Sequence, residues 1–120
     1  MAVILVVDDD DGVRGLVSTL LHSAGHQVVT AANGVEAVAV FRTSIGQIDL
    51  VVTDLNMPVM DGAQAILRIR ASKPDAKFIC MTGDPEAEIP EGVVRLAKPF
   101  SADELVLSVD KLLRLSMSTP

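Results

Sequence analysis

Tryptophan and tyrosine are absent, and phenylalanine occurs only three times in 120 residues. Such a chain offers no aromatic platform on which nucleic-acid bases could stack. The single cysteine, Cys80, excludes an internal disulfide and any Cys/His metal cluster built around it. It lies in the apolar run Phe78-Ile-Cys-Met81 and reads as a small core residue, not a nucleophile. No apolar stretch approaches the roughly 20 residues of a membrane-spanning helix. The chain starts directly on its first apolar run, so no secretory leader is expected and a reducing cytoplasm fits best. Positive charge is also scarce: ten Lys and Arg stand against sixteen Asp and Glu, for a net charge of −6. The basic residues are scattered from Arg14 to Arg114 and form no stripe, which argues against direct binding to nucleic acid.

Hydrophobic residues (49%) and charged residues (22%) stand in ordinary proportion for a globular protein, and the length suits one domain over residues 1–120. Along it, short apolar runs alternate with amphipathic stretches. Val3–Val7, Gln27–Thr30, Asp49–Thr53, Lys77–Met81 and Gly92–Leu96 read as strands. After the first, Asp10 or Asp11 can cap a helix with Val13, Leu16, Val17, Leu20 and Leu21 on one face, ended by Gly25. His22 and His26, flanking that glycine, read as surface or turn residues. Asn33-Gly34 opens a second helix carrying Val35, Val38, Ala39 and Phe41 inward and closing before Gly46. Asp61 is placed to cap a third over Gly62–Ala71. Asp84-Pro85-Glu86 looks like a helix start, which Pro90 stops after about one turn. Ser101-Ala-Asp-Glu104 has the form of a capping box, and Leu105, Val106, Val109, Leu112 and Leu113 line the last helix. Residues 116–120 are expected to fray. Strand–helix alternation of this kind implies a parallel sheet covered on both faces.

The chemistry lies at the strand ends. Val3–Val7 runs into Asp8-Asp9, and Leu50-Val-Val-Thr53 runs into Asp54. In open α/β sheets the carboxyl ends of the strands form the binding crevice. Three carboxylates gathered there repel one another unless a cation lies between them, and a hard, oxygen-seeking Mg²⁺ is the economical answer. Thr82 and Lys98 end the fourth and fifth strands on the same edge. An acid cluster for a cation, a hydroxyl and a fixed ammonium together suggest a phosphoryl group, with one carboxylate as its acceptor.

With these residues in place the chain resembles the receiver domains of two-component response regulators. The resemblance runs from Val3 to Leu115 and rests on Leu5-Val-Val-Asp-Asp9, Asp54-Leu-Asn-Met-Pro58, Met60-Asp-Gly62, Met81-Thr82-Gly83 and Lys98-Pro99-Phe100, in order. It implies a flavodoxin-like, doubly wound five-stranded parallel sheet of order 2-1-3-4-5. It implies phosphorylation of Asp54 by a partner histidine kinase or phosphotransfer protein. Mg²⁺ would be held by Asp8, Asp9, Asp54 and the backbone carbonyl of Asn56. Thr82 and Lys98 would bind phosphoryl oxygens and switch contacts with an effector that the sequence does not name, and Pro99 would follow Lys98 through a cis bond. No separate small-molecule turnover is implied.

Two departures stand out. Receivers usually carry an aromatic residue three positions before the lysine, and here that residue is Arg95. A guanidinium cannot bury like a ring without a partner, so Arg95 is expected either to stay outward or to pair with Asp84 or Glu86. Thr82 and Lys98 are also only sixteen positions apart, which shortens the fourth helix of the family's pattern. Asn56 and Asp84, near the rim, are candidates for tuning hydrolysis. Two alternatives remain: a pseudo-receiver that binds partners without phosphorylation, and a phosphatase of the haloacid-dehalogenase-like kind. The second calls for a general acid two residues after its nucleophile, where this chain has the amide Asn56.

Overall fold

A computed structural model describes residues 2–44 and 46–117. Five strands, β1 (Val3–Val7), β2 (Gln27–Ala31), β3 (Leu50–Asp54), β4 (Lys77–Thr82) and β5 (Val94–Ala97), form one all-parallel sheet of order β2-β1-β3-β4-β5. Four helices cover it among the described residues: α1 (Asp11–Ser23), α2 (Gly34–Thr43), α3 (Gly62–Ser72) and α4 (Ala102–Met117).

The two-residue period of the strands sorts their side chains into two cores. Leu5, Val7, Val51, Phe78 and Cys80 face α2 and α3, meeting Ala37, Val38, Phe41, Ile66 and Ile69. Ile4, Val6, Leu50, Val52, Ile79 and Met81 face α1 and α4, meeting Val17, Leu21, Leu105, Val109 and Leu112. With both faces covered, β1 is a continuous apolar run, and β3 is buried throughout and apolar up to Val52.

Local chemistry sets the helix ends. The Asp10 side chain accepts the N–H groups of Gly12 and Val13, so it is Asp10, not Asp11, that caps α1. Gly25, at φ 95°, takes the left-handed turn just beyond that helix. Asn33 caps α2 through the Glu36 N–H at 2.8 Å. Asp61 and Gln64 form a reciprocal capping box on α3, and Ser101 and Glu104 do the same ahead of α4.

Several expectations are corrected. The buried face of α2 is Gly34, Ala37, Val38 and Phe41, while Val35 and Ala39 point outward. The phase is set at Gly34, whose Cα packs so closely on Met60 that a side chain there would strike its backbone. Leu16 of α1 is likewise exposed. β3 and β5 begin one and two residues later than expected and end one residue later, at Asp54 and Ala97. His22 is exposed, as expected, whereas His26, just after the turn, is half-buried: its side chain is 9% exposed, and Nδ1 accepts the Ala2 N–H at 3.3 Å. The short helix expected after β4 is reduced to turns at residues 85–86 and 91–92. α4 continues to Met117, into the stretch expected to fray, and residues 118–120 of that stretch lie outside the described residues. No helix among the described residues is long and apolar enough to cross a membrane.

Candidate functional site

β1, β3, β4 and β5 end side by side, and their register brings the strand-end residues to one edge. Asp54 pairs with Met81, and Thr82 with Ala97. The edge is laced from strand to strand beyond the ladder: Leu55 N–H donates to the Met81 carbonyl at 3.0 Å, and Lys98 N–H to the Thr82 carbonyl at 2.8 Å. The loop after β3 folds back through the Gly62 N–H on the Leu55 carbonyl at 2.8 Å. This return is possible only without a side chain, since a Cβ on Gly62 would lie 2.2 Å from the Asp54 carbonyl oxygen.

Asp8, Asp9 and Asp54 come together, with one carboxylate oxygen from each lying within 4.8 Å of the others. Asp8 and Asp54 are buried and Asp9 is exposed, so the cluster opens to solvent on one side. One Asp8 oxygen, Oδ1, accepts the Asp10 N–H at 2.9 Å. The other, Oδ2, is buried without a hydrogen-bond partner, and the Lys98 ammonium stands 3.9 Å away. Burial raises the Asp8 pKa above its usual 3.8; the Asp10 N–H and Lys98 work against that rise, and the charges of Asp54 and Asp9 add to it. A buried, partly unsatisfied carboxylate among two others is a donor set that a hard divalent cation fits.

Lys98 directly follows β5 and is joined to Pro99 by a cis bond, and its Nζ donates to Asp54 Oδ1 at 3.0 Å. Thr82, buried at the end of β4, accepts the Asp84 N–H on its hydroxyl at 3.1 Å. Asn56 is exposed in the loop after Asp54. The Asp84 carboxylate accepts the Glu86 N–H at 2.9 Å, and the Arg95 guanidinium meets backbone carbonyls of the same segment rather than its carboxylates. Asp8, Asp9, Asp54 and Lys98 therefore meet, Thr82 ends the adjacent strand with its hydroxyl on the Asp84 N–H, Asp84 lies in the turn beyond it, and Arg95 reaches that turn from β5.

Two contributors escaped notice in the sequence. Arg14, on the second turn of α1, donates to the Asp8 carbonyl at 2.8 Å and pairs with Asp11. Its three-residue spacing from Asp11 was the available signal. Gly62 stands in the sequence as a helix start and in the Met60-Asp-Gly62 motif; its close approach to Asp54 is a tertiary contact that neither shows.

A parallel α/β sheet with a carboxylate cluster, a lysine and a threonine at its carboxyl edge defines a doubly wound domain with an acidic pocket in its binding crevice. The sequence model described as "Response regulator receiver domain" matches residues 4–110, and the chain belongs to that family. It is 36% identical over 118 residues to the sensor kinase CckA of Brucella abortus, covering 93% of this chain but 12% of that protein. It is 32% identical over 118 residues to sporulation initiation phosphotransferase F of Bacillus subtilis, covering 93% of this chain and 94% of that one. Among solved structures it resembles the response regulator TrrA of Thermotoga maritima in complex with Mg²⁺-BeF, with a TM-score of 0.84, 36% identity, and coverage of 93% and 99% of the two chains. The chain is thus a receiver domain of two-component signal transduction. These matches give no support to the haloacid-dehalogenase-like alternative.

Proposed function

We propose that this receiver is a working phosphoacceptor in which Asp54 takes a phosphoryl group from the phosphohistidine of a sensor kinase or phosphotransfer protein. The observation that carries the reading is the Lys98 ammonium held 3.0 Å from Asp54 Oδ1 beside the buried Asp8, whose Oδ2 has no hydrogen-bond partner. In the transfer, an Asp54 oxygen bonds to phosphorus as the donor's P–N bond breaks, and the imidazole leaves with the bonding pair and takes up a proton. A carboxylate is a weak nucleophile, so the barrier falls through positioning and charge compensation. Asp8, Asp9, Asp54 and the Asn56 carbonyl would hold Mg²⁺, which supplies compensation for the phosphoryl oxygens. Lys98 supplies a second, tethered positive charge, and its contact with Asp54 passes to a phosphoryl oxygen in the product. The Thr82 hydroxyl donates to another oxygen, which makes the turn after β4 the first segment to sense the modification. Asn56, exposed in the loop directly after Asp54, is the residue we assign to tuning hydrolysis of the acyl phosphate, whereas the Asp84 carboxylate is engaged by the Glu86 N–H.

The chain would thus act in the cytoplasm through protein contacts with a kinase-side donor and a separate effector, without turnover of a free substrate. Incubation with acetyl phosphate followed by intact-mass measurement tests the reading. One Mg²⁺-dependent phosphoryl adduct, lost in Asp54→Ala, is expected. No adduct at any Mg²⁺ concentration would reject it in favour of a pseudo-receiver.

A further inference from the structure

Arg95 stands where receivers usually carry an aromatic ring, and both terminal nitrogens of its guanidinium are hydrogen-bonded. Nη1 donates to the Asp84 carbonyl at 3.0 Å and Nη2 to the Ala87 carbonyl, so β5 is tied to the turn that follows β4. The Asp84 carbonyl also accepts the Ala87 N–H at 3.2 Å. A carbonyl oxygen has two lone pairs, and two N–H donors now occupy them. The Thr82 hydroxyl approaches that same oxygen at only 3.5 Å, beyond the roughly 2.5–3.0 Å of a good O–H···O bond. Its own oxygen is fixed by the Asp84 N–H at 3.1 Å, a contact that uses a lone pair and leaves the hydrogen unspent. Thr82 is 2% exposed, so bulk water is a poor competitor for that hydrogen.

We propose that Arg95 is a positioning residue for Thr82: by saturating the Asp84 carbonyl and bridging to that of Ala87, it keeps the buried hydroxyl hydrogen available to a tetrahedral anion at Asp54. The inference rests on the phosphoacceptor reading above and adds the device that prepares its hydroxyl donor. Without the guanidinium, a lone pair opens on Asp84 and the Thr82 hydrogen turns to it, while the segment 84–87 loses its tie to β5. A lysine at this position keeps the charge and the aliphatic stem but can reach only one of the two carbonyls.

The test is the affinity for beryllofluoride, a phosphoryl mimic, in excess Mg²⁺, measured by isothermal titration in the parent and in Arg95→Ala, Arg95→Lys, Thr82→Ala and the Thr82→Ala/Arg95→Ala pair. Arg95→Ala should weaken binding roughly five- to tenfold where Thr82 is present and by less than about twofold where it is not, a coupling that a merely structural role would not produce. Arg95→Lys, which disturbs packing least, should fall between parent and Arg95→Ala. Equal losses in both threonine backgrounds, or no loss in either, would overturn the assignment of Arg95 alone. Failure of the parent itself to bind the mimic would overturn the phosphoacceptor reading, and this inference with it.

Discussion

Cys80 and Val59 show how far one side chain can be read from its surroundings. The Cys80 thiol is fully buried in β4, and its pKa is pushed up to about 11, first by desolvation and then by the negative charge of Asp54. Because only the thiolate is an effective nucleophile, the folded protein should resist iodoacetamide at neutral pH and react only on unfolding. Native-state labelling at the rate of a free cysteine would show that the core around β4 opens readily. Val59 is the reverse case: it is 91% exposed, and its backbone lies at φ 71°, where a β-branched residue is an outlier. The Met60 N–H donates to the Pro58 carbonyl at 2.8 Å, so Val59 is the centre of a γ-turn of the rare positive-φ kind. Strain of this sort costs on the order of 1–3 kcal/mol. Val59→Gly removes it at a cost of roughly 0.5–1 kcal/mol in unfolded-chain entropy. A net gain of about 1 kcal/mol in urea denaturation is expected, and a loss would show that the turn carries no strain.

At the scale of elements, the loop from β3 to α3 depends on a missing side chain. A Cβ on Gly62 would meet the Asp54 carbonyl oxygen at 2.2 Å and Leu55 Cα at 3.0 Å, both of them backbone atoms that cannot swing aside. Gly62→Ala should therefore cost on the order of 1–3 kcal/mol of stability and, by displacing Asp54, lower the rate of phosphoryl adduct formation with it. An alanine variant of unchanged stability and rate would mean that the loop relaxes freely. This dependence separates what the sequence disclosed from what it could not. The strands, the Asp8–Asp9–Asp54 cluster and Lys98 were legible because apolar runs and their terminal polar residues are local signals. The phase of α2 was not, because Ala37 and Val35 are equally plausible inward residues until Gly34 docks on Met60. The turn after β4 departs from its local signal for a similar reason. Asp84-Pro85-Glu86 has helix-start chemistry, but Arg95, eleven residues after Asp84, takes the carbonyls a helix would use. Tertiary partners overrode local propensity in both places.

For the molecule as a whole, the acid cluster makes stability a function of pH and metal together. The Asp8 pKa is raised on folding, so over the range between the unfolded value of 3.8 and the higher folded one the native state holds more protons than the unfolded state. This group's contribution is therefore most favourable below that range and declines as pH rises through the folded pKa. Divalent cations act in the opposite sense, since they bind the ionised carboxylates and compete with protons. A ligand that binds only the native state at a hundredfold excess over its Kd contributes about 2.7 kcal/mol. For a domain of this size that is on the order of 10 °C in Tm. The gap in Tm between Mg²⁺ and chelator should then be small at acidic pH and widen towards neutrality. In Asp8→Asn one of the three repelling charges is gone, so the metal-free protein should gain on the order of 1 kcal/mol at neutral pH, and most of the Mg²⁺ gap should disappear. A Tm gap independent of pH, or one retained in Asp8→Asn, would place the cation elsewhere on this acidic surface and separate the metal from the phosphoacceptor.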